Sequence, residues 1–89
     1  MRVVLDGGSV GSRETLHQAL AALLRLPDWY GGNLDALHDC LTDITEPTEL
    51  AVRNGAALEE TLGGYAAALR QVLADCAAEN GAFSVVWEA

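Results

Sequence analysis

The sequence predicts a small α/β domain in which helices connect the strands of a parallel sheet. Three short apolar segments have the composition of strands, one near the start, one in the middle and one at the end of the chain. Longer segments between them place apolar residues at helical spacing. The order strand, two helices, strand, two helices, strand implies two right-handed crossovers and therefore a parallel sheet. A chain of 89 residues fits one domain, residues 1–89.

The first third of the chain predicts a strand followed by a helix. The segment RVVLD (2–6) is apolar enough to be buried and ends at a Gly-Gly turn. A helix then begins at Ser12 or Arg13, with Ser12 as its N-cap. Leucines recur at the spacing of one helix face as far as Arg25. Pro27 ends this helix, because the residue before a proline avoids helical geometry.

A second helix is predicted from Leu34 to about Thr42, with Asn33 as its N-cap. Its leucines repeat at i, i+3 and i+7, so that one face points to the core. The opposite face is polar and consists of Asp35, His38, Asp39 and Thr42. The two carboxylates are four residues apart, and like charges at this spacing repel by about 0.2–0.5 kcal/mol. The helix dipole favours an acid in the first turn, but Asp39 lies beyond that turn.

The second half of the chain predicts a strand, two helices and a final strand. The predicted ranges are a strand over 50–53, a short helix over 56–62, a long helix over 65–79 and a strand over 83–87. The long helix is expected to bury one face, formed by Tyr65, Leu69, Val72, Leu73 and Cys76. Asn80-Gly81 follows it and is typical of a helix C-terminal cap.

The charge of the chain narrows the choice of partners. Thirteen acidic residues against five arginines give a net charge of −8, which makes nucleic acid and anionic membranes poor partners. Six of the acids lie between Leu26 and Val52, where no basic residue occurs. Such acidity can serve solubility, or it can form a docking surface for a basic molecule. The apolar stretches are too short to cross a bilayer, and the start lacks the apolar core of a secretory signal, so we expect a cytoplasmic protein.

The two cysteines, Cys40 and Cys76, do not have the close spacing of a zinc or thioredoxin-like motif. Each falls at a helical position, which predicts a small buried or half-buried thiol. A disulfide or a reactive thiol remains the alternative.

The same polar face also carries residue types that occur in metal sites and in enzyme active sites. Asp35, His38 and Asp39 offer two carboxylates and an imidazole, and Asp28 could complete a shell for a divalent ion. However, no ion-wrapping loop, HExxH motif or P-loop occurs, and a domain this small rarely provides a deep sugar cleft. We therefore expect no enzymatic activity, no metal and no cofactor. His17, on the first helix, is expected to be a packed or solvated structural residue.

The loop before the second helix contains two aromatic residues followed by two glycines. Tyr30 is expected to fill the gap between the first two helices. Both rings cannot easily be buried in a loop so close to charged turns, so Trp29 is expected to be exposed. A large exposed aromatic residue beside charges is the usual composition of an interface hot spot.

The segment LPDWYGGNLDALHDCLT (26–42) resembles the signature of the barstar family, intracellular inhibitors of the secreted ribonuclease barnase. That signature has Leu-Pro, an acid, two aromatics, a glycine, then Asn-Leu-Asp-Ala-Leu, an aromatic and Asp-Cys-Leu. LHQAL (16–20) matches as well, and the likeness extends along essentially the whole chain. The resemblance implies a two-layer fold, with three parallel strands in the order 1-2-3 and the main helices packed on one face.

The resemblance also implies that the second helix and the preceding loop block the active-site cleft of a small basic ribonuclease, barnase-like or guanyl-specific, in a 1:1 complex. Asp39 matches the family's central carboxylate, which occupies a phosphate subsite among arginines and the catalytic histidine. Asp35 matches a second inhibitory acid, and Trp29 replaces a tyrosine that packs on that histidine. The further contacts implied are Asn33, Ala36, Thr42 and Asp75.

Some positions depart from the family pattern within this surface. His38 stands where the family often has tryptophan, and Asp43 stands where a glycine is common. Cys76 is not at the family's usual second cysteine position. The partner therefore need not be barnase itself. The alternative function is a barstar-like interaction module that binds a different basic protein.

Overall fold

The structure, a computed structural model, describes residues 1–88 and contains a three-stranded parallel sheet. The strands are β1 (Arg2–Asp6), β2 (Thr48–Arg53) and β3 (Phe83–Glu88), and they lie in the order β1-β2-β3. Both pairs are parallel, with Val4 opposite Ala51 and Ala51 opposite Val86. The predicted α/β class and strand order are therefore confirmed.

Four α-helices connect the strands, together with one 3-10 turn after β1. The helices are α1 (Arg13–Leu24), α2 (Leu34–Thr42), α3 (Gly55–Leu62) and α4 (Gly64–Glu79), and the 3-10 turn is Gly7–Ser9. Every predicted element is present, with bounds that differ by at most two residues. The largest difference is at β2, which begins at Thr48 because Thr48 already pairs with Phe83. Within residues 1–88, no helix has the length and apolar character needed to cross a bilayer.

The predicted helix starts are confirmed by their hydrogen bonds. The Ser12 side chain accepts from the Thr15 N–H, and the Thr15 hydroxyl oxygen accepts from the Ser12 N–H, which makes a reciprocal capping box. The end of α4 differs from the prediction: Asn80 ends the helix in an extended conformation, and Gly81 does not adopt left-handed geometry. The Asn80 side chain is used instead for bonds to other parts of the chain.

One face of the sheet packs against the helices. Alternate strand residues point to this side, and they meet the leucines that repeat along the helices. The most deeply buried members of this core are Phe83, Leu16, Leu20, Leu37, Leu41, Leu50, Leu58, Leu69 and Leu73. Because Leu37 and Leu41 are anchored here, the opposite face of α2 points away from the core.

The other face of the sheet carries a group of ion pairs. The Arg2 guanidinium lies 2.7 Å from Glu49 and 3.3 Å from Glu88, and Arg53 lies 3.3 Å from Glu88. Arg2 and Glu88 stand at opposite ends of the sheet register, so their contact crosses the central strand. Ala51, which lies on this face in the central strand between Val4 and Val86, is fully buried.

Candidate functional site

The start of α2 determines which residues the helix presents to solvent. Gly32 has a φ of 68°, a left-handed conformation that glycine adopts without strain. Asn33 follows as the predicted N-cap, and its Oδ1 accepts the Ala36 N–H at 2.8 Å. With Leu37 and Leu41 in the core, the outward face of α2 is held in one orientation.

Three aspartates, each four residues from the next, form an exposed row along α2 and its C-cap. We call Asp35, Asp39 and Asp43 the acidic row. The Asp39 side chain is 78% exposed, and its nearest basic contact is His38 Nδ1 at 3.9 Å. Within residues 1–88, no arginine forms an ion pair with any member of the row. The negative charge of the row is thus directed to solvent and only weakly compensated.

The loop before α2 holds one aromatic ring outward and one inward. Trp29 is 69% exposed, the most exposed large apolar side chain among the described residues. Tyr30 is half buried against the core, and its hydroxyl is hydrogen-bonded to His17 Nδ1. The Tyr30 N–H donates to the Pro27 carbonyl at 2.9 Å and closes a turn that projects Trp29. The predicted division between the two rings is confirmed.

His38 links α2 to the end of α4. Its Nε2 lies 2.6 Å from Glu79 Oε2, and its side chain is 37% exposed. Glu79 therefore stands beside the acidic row, and sequence reasoning missed it. The available signal was its position four residues after Asp75, on the same face of α4. Asp75 itself is exposed and accepts a hydrogen bond from Gln71 at 2.9 Å.

Ala36 and Thr42 are the remaining residues of α2 predicted to contact a partner. Ala36 is half buried, and Thr42 donates its hydroxyl hydrogen to backbone carbonyls of α2, with His38 O at 2.9 Å and Asp39 O at 3.1 Å. Thr42 can therefore offer a partner its methyl group and a hydroxyl acceptor, but its donor is already in use.

Asn80 supports the far end of α2, a role that sequence reasoning also missed. Its Nδ2 donates to the Leu41 carbonyl at 2.9 Å and to the Ile44 carbonyl at 2.8 Å. Its Oδ1 accepts the Ala82 N–H at 3.0 Å. Carbonyls at a helix C-terminus have no partner within the helix, so this amide satisfies groups that would otherwise be unpaired. The end of α2 is thereby fixed to the segment after α4.

Both cysteines are buried and free, as the first of the two sequence alternatives predicted. Burial, with the nearby carboxylates of Glu79 and Asp75, raises the pKa of the Cys76 thiol to about 11. Burial also raises the pKa of Cys40, with smaller effects from Asp43 and Asp39. Both thiols are therefore protonated at neutral pH and are poor nucleophiles.

The residues considered for a metal site do not enclose an ion. Asp35, His38 and Asp39 lie on the outward face of α2, and Asp28 is exposed in the loop. In residues 1–88, no group of three or more His, Cys, Asp or Glu side chains is arranged to hold a metal ion. The described carboxylates point to solvent and do not gather around a centre.

The structure combines a small three-stranded α/β fold with an exposed acidic helix face and an exposed tryptophan. Residues 1–88 match the family model described as Barstar (barnase inhibitor). The chain is also 37% identical over 79 residues to a Bacillus subtilis (strain 168) protein named "Putative ribonuclease inhibitor YrdF", and the match covers 88% of this chain and 87% of that protein. The chain therefore belongs to the barstar family. The description of that family names inhibition of a ribonuclease and no enzymatic activity.

Proposed function

We propose that this chain inhibits a small basic bacterial ribonuclease of the barnase or guanyl-specific type, by placing α2 and the loop 26–33 in its active-site cleft. The observation that carries this proposal is the acidic row, which is exposed and forms no ion pair with an arginine within residues 1–88. The loop that directly precedes α2 exposes the ring of Trp29. Membership of the barstar family supports the same class of partner.

The chemistry of a ribonuclease cleft explains why carboxylates suit it. Such a cleft uses arginine and lysine side chains to hold phosphate and to stabilise developing negative charge. Asp39, central in the row, takes the place of a substrate phosphate, and Asp35 pairs with a second cationic group. Carboxylate–guanidinium hydrogen bonds are charge-assisted and often bidentate, and each contributes about 1.5–3 kcal/mol.

The residues around the acidic row complete the proposed contact surface. Trp29 packs on an aromatic or imidazole ring at the edge of the cleft. Asn33 uses Oδ1 for the helix cap, whereas its Nδ2 donates to no group within residues 1–88 and is left to donate to the partner. Ala36, Thr42 and Asp43 lie along the same face of α2 and its C-cap.

A second acidic segment comes from α4. Asp75 and Glu79 extend the negative surface beyond α2, and Glu79 holds His38 at 2.6 Å. His38 thus lies between the carboxylates of Glu79 and Asp39. We propose that this pairing, at a position where the family often has tryptophan, tunes the surface to its own ribonuclease, which need not be barnase itself.

The net charge supports fast association with a basic enzyme. At −8 the chain attracts a cationic partner over several ångströms, and this attraction raises the association rate at low salt. We place the protein in the cytoplasm, where buried, protonated and unpaired thiols are the usual state of cysteine. There it would neutralise the ribonuclease in a 1:1 complex before the enzyme reaches cellular RNA.

A titration of ribonuclease activity tests this proposal. Increasing amounts of the chain are added to barnase or a guanyl-specific ribonuclease, and cleavage of RNA is followed by fluorescence. Asp39→Ala should weaken inhibition by at least about 2 kcal/mol, roughly thirtyfold, and more than any other single truncation. The matched control is Glu60→Ala, which removes an exposed acid from α3 and should change inhibition less than about threefold.

A second candidate function is favoured by the departures at His38 and Asp43. In that case the domain binds a different basic protein through the same acidic row. The two candidates are separated by the same titration, because a chain adapted to another partner would leave guanyl-specific ribonucleases fully active.

A further inference from the structure

A buried histidine connects the loop over residues 27–32, here called the Trp29 loop, to two helices. His17 on α1 is only 4% exposed. Its Nδ1 is hydrogen-bonded to the Tyr30 hydroxyl, and its Nε2 lies 2.6 Å from the Tyr65 hydroxyl of α4. The imidazole ring also packs against both phenol rings, at centroid distances of 5.8 Å and 6.0 Å. We call His17, Tyr30 and Tyr65 the Tyr-His-Tyr cluster.

The two hydrogen bonds of the His17 ring, to the Tyr30 and Tyr65 hydroxyls, can form at the same time. Burial lowers the pKa of His17, so the imidazole is neutral at neutral pH and has one N–H. One tyrosine donates to the bare ring nitrogen, and the other accepts from the N–H. The second tyrosine keeps a hydroxyl hydrogen, which it can donate to water, because both phenols line an open groove of about 680 Å³.

The cluster supplies a side-chain hydrogen bond between the Trp29 loop and α1. Between Pro27 and Gly32, within the described chain, the bond from Tyr30 to His17 is the one side-chain hydrogen bond. The backbone bond from Tyr30 N–H to Pro27 O holds only the turn itself. Gly31 and Gly32 follow and have no side chains to pack. Without its link to His17, the loop would keep the packing of the Tyr30 ring on the core and the backbone turn, but no side-chain hydrogen bond to another segment.

The other end of the cluster lies on α4. Tyr65 lies in the first turn of α4, and the Arg13 guanidinium sits 4.3 Å from its ring centroid. The far end of α4 carries Glu79, which binds His38, and Asn80 follows it and binds the carbonyls at the end of α2. The same helix therefore holds the Trp29 loop at one end and α2 at the other.

We propose that His17 and Tyr65 are positioning residues for partner binding, which fix the Trp29 loop relative to the acidic row. This inference rests on the proposed function, because it concerns how the same surface is prepared for a ribonuclease. A loop that samples other conformations binds with an affinity reduced by the fraction of molecules in the competent one. The cluster keeps that fraction high before the partner arrives.

The test uses two variants, Tyr65→Phe and Tyr30→Phe, each of which removes one hydroxyl and keeps the ring. Barnase is the probe, and the dissociation constant and dissociation rate are measured by surface plasmon resonance. We expect both constants to rise by about 3- to 10-fold, the range that one hydrogen bond supplies. Amide hydrogen exchange of residues 29–32 in the free protein should accelerate by a similar factor.

A matched control separates positioning from general stability. Val85→Ala trims a half-buried side chain on β3, away from the loop, and lowers the overall stability. While it remains folded, it should bind barnase within twofold of the unchanged chain and leave the exchange of residues 29–32 unaltered. An effect of the tyrosine variants no larger than that of this control would overturn the inference.

The outcomes also distinguish this inference from the proposed function. If the unchanged chain fails to bind barnase or a guanyl-specific ribonuclease, the proposed function is wrong, and the exchange of residues 29–32 alone decides whether the cluster positions the loop. If the unchanged chain binds and both tyrosine variants bind equally well, the proposed function stands and the positioning role is wrong, whatever the exchange rates show.

Discussion

Replacing Asp39 by asparagine should stabilise the free chain, although the same change should weaken its binding to a ribonuclease. Asp39 lies between Asp35 and Asp43, each four residues away on the same face. It also lies in the last turn of α2, where the helix dipole disfavours negative charge. Its side chain is 78% exposed, so the substitution removes almost no buried contact.

The expected size of this gain follows from those neighbours. Two like-charge pairs at this spacing cost about 0.4–1 kcal/mol together. The dipole contributes about 0.3–1 kcal/mol more at low ionic strength. The attraction between Asp39 and His38 Nδ1, 3.9 Å apart, offsets part of the sum when the imidazole is charged. We therefore expect Asp39→Asn to raise the free energy of unfolding by about 0.5–1.5 kcal/mol.

Urea unfolding in low salt and in 1 M NaCl measures this gain. The matched control is Glu60→Gln, which removes the same charge from the last turn of α3 but has no acid three or four residues away in α3. The control shares the dipole effect and lacks the acidic neighbours, so Asp39→Asn should exceed it by about 0.4–1 kcal/mol at low salt. High salt should reduce the difference. An equal gain in both variants, or a loss of stability in Asp39→Asn, would refute the reasoning.

Three further predictions concern the buried His17, the Asn80 side chain and the net charge of the chain. Folding lowers the pKa of His17 from its ordinary 6.5, so the unfolded chain binds the proton first as the pH falls. The free energy of unfolding should therefore be independent of this group above about pH 6.5 and should decrease below it, by at most about 1.4 kcal/mol per pH unit. Thermal unfolding of His17→Gln should accordingly depend less on pH between pH 7 and 5. Asn80→Ala should lower the free energy of unfolding by about 1–3 kcal/mol in urea titrations, because the Leu41 and Ile44 carbonyls lose their donor. Asn80→Asp keeps an acceptor for Ala82 N–H but removes the same Nδ2 donor, so it should lower the free energy of unfolding by as much. Association with a basic ribonuclease in stopped-flow should slow by about tenfold or more from low to high salt, and a flat profile would argue against electrostatic steering.

The elements that could be predicted from sequence are those set by local signals. Ser12 and Asn33 cap their helices through bonds to residues three positions ahead, so a short segment contains the whole signal. The leucine spacing of α2 likewise determined which face is buried. In contrast, the early start of β2 depends on pairing between Thr48 and Phe83, which are distant in sequence. The residues just before Leu50 have the composition of a loop, so the sequence alone did not indicate that β2 begins at Thr48.

The parts of the candidate site that sequence reasoning missed are contacts between distant segments. The bond from His38 to Glu79, the bonds from Asn80 to the end of α2, and the packing of Tyr65 on His17 join different helices. No spacing rule within one segment predicts such pairs. For His17 the sequence left a packed and a solvated position open, and the structure shows that it is packed, because tyrosines from two other segments enclose it.

The central claim is that the acidic row occupies the place where a ribonuclease binds RNA phosphate. The most direct measurement is inhibition of a barnase-type ribonuclease at several RNA concentrations, with the unchanged chain and with Asp39→Asn. We predict competitive inhibition: more of the chain is needed for half-inhibition as RNA increases, and Asp39→Asn inhibits far less at every concentration. Inhibition that does not depend on RNA concentration, or that Asp39→Asn leaves intact, would contradict the account.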